Sequence, residues 1–238
     1  MIIIGHRGCQ VPGVFENTLQ SFQKALDLGV DMIELDVFLT LDNKIVVCHD
    51  RHLDRLIEQS LEIEQTTLGQ LQQYLLPNGE TIPTLASVIK LVDRVCPINI
   101  ELKSQSSKIL PPLDTLLSHY FQQGCERHHF LVSSYNLTLL QQLSIKNPSI
   151  MLGIIQGNIL PDPYYYLDFS KKVNSVVSIH IDKELYPSLL QQKIIKAYKK
   201  NNLHVYIFTV NYHHQVSHQD TLVDGIITDR PDYFSKLV

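Results

Sequence analysis

The chain has 238 residues, 44% of them hydrophobic and 18% charged, an ordinary globular composition with enough length for a full core. Twenty Lys and Arg against 24 Asp and Glu leave a formal charge of −4, so no basic excess speaks for nucleic acid or an anionic membrane surface. No apolar run reaches the roughly 18 to 20 residues that would span a bilayer. The opening residues Met1–Arg7 lack the basic and then apolar pattern of a leader. Cys9, Cys48, Cys96 and Cys125 show no Cys-x-x-Cys spacing and read as reduced thiols in a cytoplasmic protein.

In chain order, β-like runs are predicted at 2–5, 32–39, 45–48, 98–102, 130–134, 151–155, 175–181, 205–210 and 225–228. Helical periodicity is predicted at 18–28, 84–92, 112–123, 137–145 and 187–201, the first with a cap at Asn17-Thr18 and a stop at Gly29. Alternation of this kind means βα units and a parallel sheet. Only Thr40–Lys44 separates the second run from the third, too short for a parallel crossover of about a dozen residues. These two runs must form an antiparallel hairpin. Removing its return strand leaves eight parallel strands, the count of a (β/α)₈ TIM barrel, with an open doubly wound sheet as the alternative. A hairpin turn centred between Asp42 and Asn43 would put His49 across from Asp36. Residues 51–83 read as a small insertion at the barrel mouth, helix-leaning over 51–76, within a single domain spanning 1–238.

The chemistry lies in two strands. Residues two apart share a strand face. Ile33, Leu35, Val37 and Leu39 therefore point one way and Glu34 and Asp36 the other; Ile100 and Leu102 likewise oppose Asn99, Glu101 and Lys103. The outer face of a barrel packs under helices and is apolar, so the acids face inward. Three crowded carboxylates need compensation. An all-oxygen cluster suits a hard cation, Mg²⁺ or Ca²⁺; an internal salt-bridge network with Lys103 neutralising Glu101 is the bland alternative. His6-Arg7 ends the first strand and His49-Asp50 the hairpin, at the rim where barrels keep their catalytic groups. The remaining histidines read as surface or packing residues. Tyr164–Tyr166 reads as rim aromatics or as the start of a packed helix, and the acids of Asp224–Asp232 read as caps.

Gly5-His6-Arg7-Gly8, Glu16-Asn17-Thr18, Glu34-Leu35-Asp36-Val37, His49-Asp50, Leu53-Asp54-Arg55, Ile82-Pro83-Thr84-Leu85, Glu101-Leu102-Lys103, Ser133-Ser134-Tyr135 and Asp224–Asp232 occur in this order. Together they closely resemble the glycerophosphodiester phosphodiesterase family over nearly the whole chain. The resemblance implies a (β/α)₈ barrel and one divalent ion held by Glu34, Asp36 and Glu101. It implies His6 and His49 as the acid–base pair, and Arg7 and Lys103 as phosphate ligands. It further implies cleavage of a small-molecule glycerophosphodiester to glycerol 3-phosphate and an alcohol, the glycerol 2-hydroxyl attacking first. Three positions depart from the family pattern: Phe15, where Pro is usual; Tyr135, where Phe is common; and Phe208, a substrate-binding position where Trp is usual. A lysophospholipase D on the same barrel is the second reading; it needs an apolar channel, and Leu53, Leu56, Ile57, Leu61 and Ile63 suit either its lining or a packed helix. A non-catalytic phosphate-ligand binding protein is the third.

Overall fold

The structure is a computed structural model that describes residues 1–57, 59–157, 164–186, 189–216 and 222–234. Its strands are β1 (Ile2–Gly5), β2 (Met32–Leu39), β3 (Ile45–Val47), β4 (Ile98–Leu102), β5 (Phe130–Ser134), β6 (Met151–Gln156), β7 (Val176–Asp182), β8 (His204–Phe208) and β9 (Gly225–Thr228). The sheet runs β1-β9-β8-β7-β6-β5-β4-β2-β3, and β1 also pairs with β2. All pairings except β2–β3 are parallel, so eight strands close into a barrel and β3 hangs outside as a hairpin return. This is the (β/α)₈ TIM barrel expected from the short second loop.

The helices are α1 (Leu19–Asp27), α2 (Leu68–Leu71), α3 (Leu85–Val92), α4 (Leu110–Gln122), α5 (Leu137–Lys146), α6 (Tyr165–Lys172), α7 (Leu189–Lys200) and α8 (Pro231–Phe234). Thr18 caps α1, its Oγ1 accepting from the Ser21 N–H at 3.1 Å while Ser21 Oγ accepts from the Thr18 N–H. Gly29 ends that helix at φ 70°, a left-handed conformation that favours glycine. Tyr165 and Tyr166 open α6: Tyr166 is buried, Tyr164 and Tyr165 exposed.

Ile33, Leu35, Val37 and Leu39, with Ile100 and Leu102, join the main core between strands and helices. Inside the barrel, Ile4, Met32, Leu131, Tyr206 and Ile227 form an apolar floor. The polar alternates of β2 and β4 follow on the same inner face, towards the C-terminal ends of the strands.

Two local expectations are corrected. The hairpin pairs Val37 with Val47, Phe38 with Val46 and Leu39 with Ile45, so Cys48, not His49, lies across from Asp36. The Cys48 N–H donates to the Asp36 carbonyl at 3.0 Å. The cause is a three-residue turn, Leu41-Asp42-Asn43, closed by the Thr40 N–H on the Lys44 carbonyl at 2.8 Å, with Asn43 at φ 58°. Asparagine tolerates that left-handed geometry better than most residues. Residues 51–76, expected to lean helical, form short 3₁₀ turns at Leu53–Arg55 and Ile63–Gln65 and the single-turn α2. Phe38, Val46, Cys48, Leu53, Ile63 and Leu71 collapse into a second small core beneath them. Burying these apolar side chains holds the segment where helix propensity does not.

Candidate active site

The parallel register sets Glu34 beside Asn99 and Asp36 beside Glu101. Carboxylate oxygens of Glu34, Asp36 and Glu101 all lie within 4.8 Å of one another. Glu34 and Asp36 are 2% and 1% exposed. Asp36 Oδ2 accepts from Asn17 Nδ2 at 3.0 Å and stands 3.3 Å from Arg7 Nε. Lys103 Nζ donates to Glu101 Oε1 at 2.9 Å and lies 3.7 Å from Asp36 Oδ1. The Lys103–Glu101 pair of the salt-bridge alternative is therefore present, yet it leaves Glu34 without a lysine or arginine side chain. Among the described residues, Glu34 Oε2 accepts only the Arg7 backbone N–H, at 3.0 Å, with His6 Nε2 at 3.9 Å. Its Oε1 is buried with no hydrogen-bond partner among the described residues. Burial, and then Asp36, push the Glu34 carboxyl up to about 8. The same two causes raise Glu101 despite Lys103. An all-oxygen donor set with excess negative charge and one orphaned buried oxygen fits a hard divalent cation.

His6 follows β1, and its Nδ1 is 2.6 Å from Asp229 Oδ1. Gln10 Nε2 donates to the same oxygen at 2.6 Å, and Asn211 Nδ2 donates to Oδ2 at 2.7 Å. Burial works against charge on His6, but the Asp229 hydrogen bond and Glu34 outweigh it and raise the imidazole. His49 Nδ1 is 2.6 Å from Asp50 Oδ1, and Arg55 Nε donates to Asp50 Oδ2 at 2.6 Å. Burial lowers His49, with Arg7 and Lys103 acting in the same direction and Asp36 opposing. Those three charged neighbours show that His49, which lies just beyond the end of β3, is near the cluster.

Arg7 Nη1 donates to both Glu16 oxygens at 3.1 Å. Arg7 itself sits at φ 52°, a conformation uncommon outside glycine. Gly8 is required beside it: φ is 88°, and a Cβ there would stand 2.8 Å from the Ser21 carbonyl oxygen of α1. Phe208 ends β8, half-buried, and lines a small cleft with His6, Glu34, Glu101 and His180. His180 is a packing residue, as expected: burial drops it to about 3, so it is neutral, with Nε2 3.0 Å from Ser178 Oγ.

The cap reading of the C-terminal acids is incomplete. Asp224 is engaged by Lys199 and the Val205 N–H, and Asp232 by Arg230, but Asp229 belongs to the site. The signal for it was barrel closure, which pairs Gly5 with Thr228 and so brings the next residues, His6 and Asp229, side by side. Asp50 was named only as part of a motif, and its hold on His49 is visible only in the structure.

Residues 6–233 match the model of the glycerophosphoryl diester phosphodiesterase family. The chain belongs to that family. It is a phosphoric diester hydrolase, and the members of its family are glycerophosphodiester phosphodiesterases. A glycerophosphodiester phosphodiesterase of Bacillus altitudinis is 30% identical, the match covering 99% of this chain and 97% of the relative. A lysophospholipase D of Rattus norvegicus is 24% identical over 96% of this chain and 83% of its own. The crystal structure of a glycerophosphodiester phosphodiesterase from Thermotoga maritima superposes with a TM-score of 0.80 at 28% identity, covering 100% of this chain and 98% of the other. Among the described residues, this phosphodiesterase has no helix long and apolar enough to cross a membrane.

Proposed function

We propose that the enzyme cleaves glycerophosphodiesters to glycerol 3-phosphate and an alcohol, with one divalent cation, Mg²⁺ or Ca²⁺, held by Glu34, Asp36 and Glu101. His6 and His49 transfer the protons. The observation that carries this reading is the three-carboxylate cluster with an uncompensated Glu34, next to two imidazoles that are each braced at Nδ1 by an aspartate. When bound, the cation supplies Lewis-acid stabilisation of charge at the phosphoryl group. Arg7 and Lys103, drawn to the cluster's edge by Asp36, Glu16 and Glu101, bind non-bridging phosphoryl oxygens.

A carboxylate only accepts hydrogen bonds, so Asp229 and Asp50 fix the proton on each Nδ1 and leave each Nε2 for the substrate. One histidine takes a proton from the attacking glycerol 2-hydroxyl, the other gives one to the leaving alcohol, and water then opens the resulting cyclic phosphate to glycerol 3-phosphate with the two proton roles exchanged. Phe208 shapes the apolar wall of the cleft. The whole chain works as one catalytic unit, with segment 51–83 as its rim. Four unpaired thiols suit a reducing cytoplasm.

The lysophospholipase D reading draws on the rat relative. It needs an apolar channel, but Leu53 and Ile63 are fully buried in the second core, Leu56 is nearly so, and Ile57 and Leu61 pack against them. Most of these side chains fill space, although Leu56 also lines a small cavity beside His49. The test is a parallel assay of the metal-loaded enzyme with glycerophosphocholine and lysophosphatidylcholine, following glycerol 3-phosphate release from the first and choline release from both. Turnover of the first at a higher kcat/KM is expected. Preference for the lysophospholipid, or no turnover of any glycerophosphodiester, overturns the proposal.

A further inference from the structure

Tyr135 stands immediately after β5 at the barrel mouth. Ser133 is level with Glu101 in the parallel register, so Tyr135, two residues on, continues the same inward-facing row at the level of Lys103. Unlike the buried strand residues before it, Tyr135 is 47% exposed. Its ring lies against Gly157: a Cβ there would be 3.7 and 3.8 Å from the ring's Cδ1 and Cε1. The Tyr135 ring thus sits beside the Gly157 backbone, at a spacing that would bring an added Cβ only to ordinary contact. Burial, followed by the carboxylates of Glu101, Asp182, Asp36 and Glu34, raises the phenol, so it keeps its proton and can only gain from meeting an acceptor. Among the described residues none accepts a hydrogen bond from that hydroxyl. The charged donors of the mouth, Arg7 and Lys103, are already engaged by acids. Tyr135 is thus an uncommitted neutral donor at the level of the cluster.

We propose that the Tyr135 hydroxyl donates a hydrogen bond to a non-bridging phosphoryl oxygen of the bound substrate. Glycerol hydroxyls can donate to the acids that already crowd this mouth, whereas phosphoryl oxygens only accept, so the free donor is matched to the phosphate. The inference rests on the phosphodiesterase reading of the site. It adds to that reading a specificity-determining contact where Phe, common in the family, supplies none.

Tyr135→Phe removes only the oxygen and keeps the ring on Gly157. With the metal-loaded full chain, kcat/KM for glycerophosphocholine and the dissociation constant of glycerol 3-phosphate, measured by calorimetry, are compared with wild type. Each is expected to worsen about tenfold, the effect of losing one hydrogen bond to a charged acceptor, with unchanged circular dichroism. Both within twofold of wild type overturns the proposal. So does a loss of kcat/KM with unaltered glycerol 3-phosphate affinity, which would assign the hydroxyl elsewhere. A wild-type enzyme that binds glycerol 3-phosphate but turns nothing over would overturn the catalytic reading alone, and the affinity comparison would still decide on Tyr135.

Discussion

Each of the two site histidines is oriented by an aspartate at 2.6 Å, and the two aspartates are held in different ways. Asp229 is fixed by the neutral amides of Gln10 and Asn211, Asp50 by the Arg55 guanidinium. If both imidazoles move protons, either one is needed for turnover. His49→Ala is expected to lower kcat by about 10²–10⁴, the usual worth of a general acid or base, with the fold intact by circular dichroism. A near-normal rate for that variant would remove His49 from the mechanism. Asp229→Asn keeps the shape but ends the preference for a proton on His6 Nδ1. It is expected to cost about 10- to 100-fold in kcat with little change in KM, read from steady-state kinetics.

Among the elements, the β2–β3 hairpin and the segment after it carry the most consequence. The turn at Asn43 puts Cys48 with Phe38 and Val46 in the second core, so the hairpin's inner face is spent on packing. That core then anchors the chain just beyond His49 and Asp50. Leu53 is fully buried in that core and lies, in sequence, between Asp50 and the Arg55 that holds it. Leu53→Ala is expected to destabilise the fold by about 2–5 kcal/mol, the range for emptying such a site, measured by urea denaturation. A loss under about half a kcal/mol, the range of ordinary surface substitutions, would mean that the segment does not depend on this core.

At the scale of the whole molecule, the carboxylate cluster links stability to pH and to the cation. Glu34 is raised in the folded state to about 8, above its ordinary carboxylate value. The native metal-free protein therefore holds a proton that the unfolded chain releases. Its stability falls as pH rises from the ordinary carboxylate range towards 8. The Tm of chelated protein is expected to drop across that window, and Mg²⁺ or Ca²⁺ to raise it again by binding only the folded form. Activity is expected to be lost on chelation and to return with the same ions. Glu34→Gln should flatten the pH slope and abolish the cation's effect on Tm. A chelated enzyme with full activity, or a Tm indifferent to both ions, would contradict the metal site.

The barrel and the acid cluster were legible because they follow from local periodicity. Alternation along Ile33–Val37 and Asn99–Lys103 decides which side chains face inward, and five residues between two strands exclude a parallel crossover. Both properties belong to a few consecutive residues, and no distant contact can reverse them. The partnership of His6 with Asp229, 223 residues away, arises only when β9 closes against β1. The hairpin register turned on whether Asn43 adopts a left-handed φ, and the form of segment 51–83 on which apolar side chains it could bury. Those outcomes are settled by long-range packing and backbone geometry, which no short stretch of sequence contains.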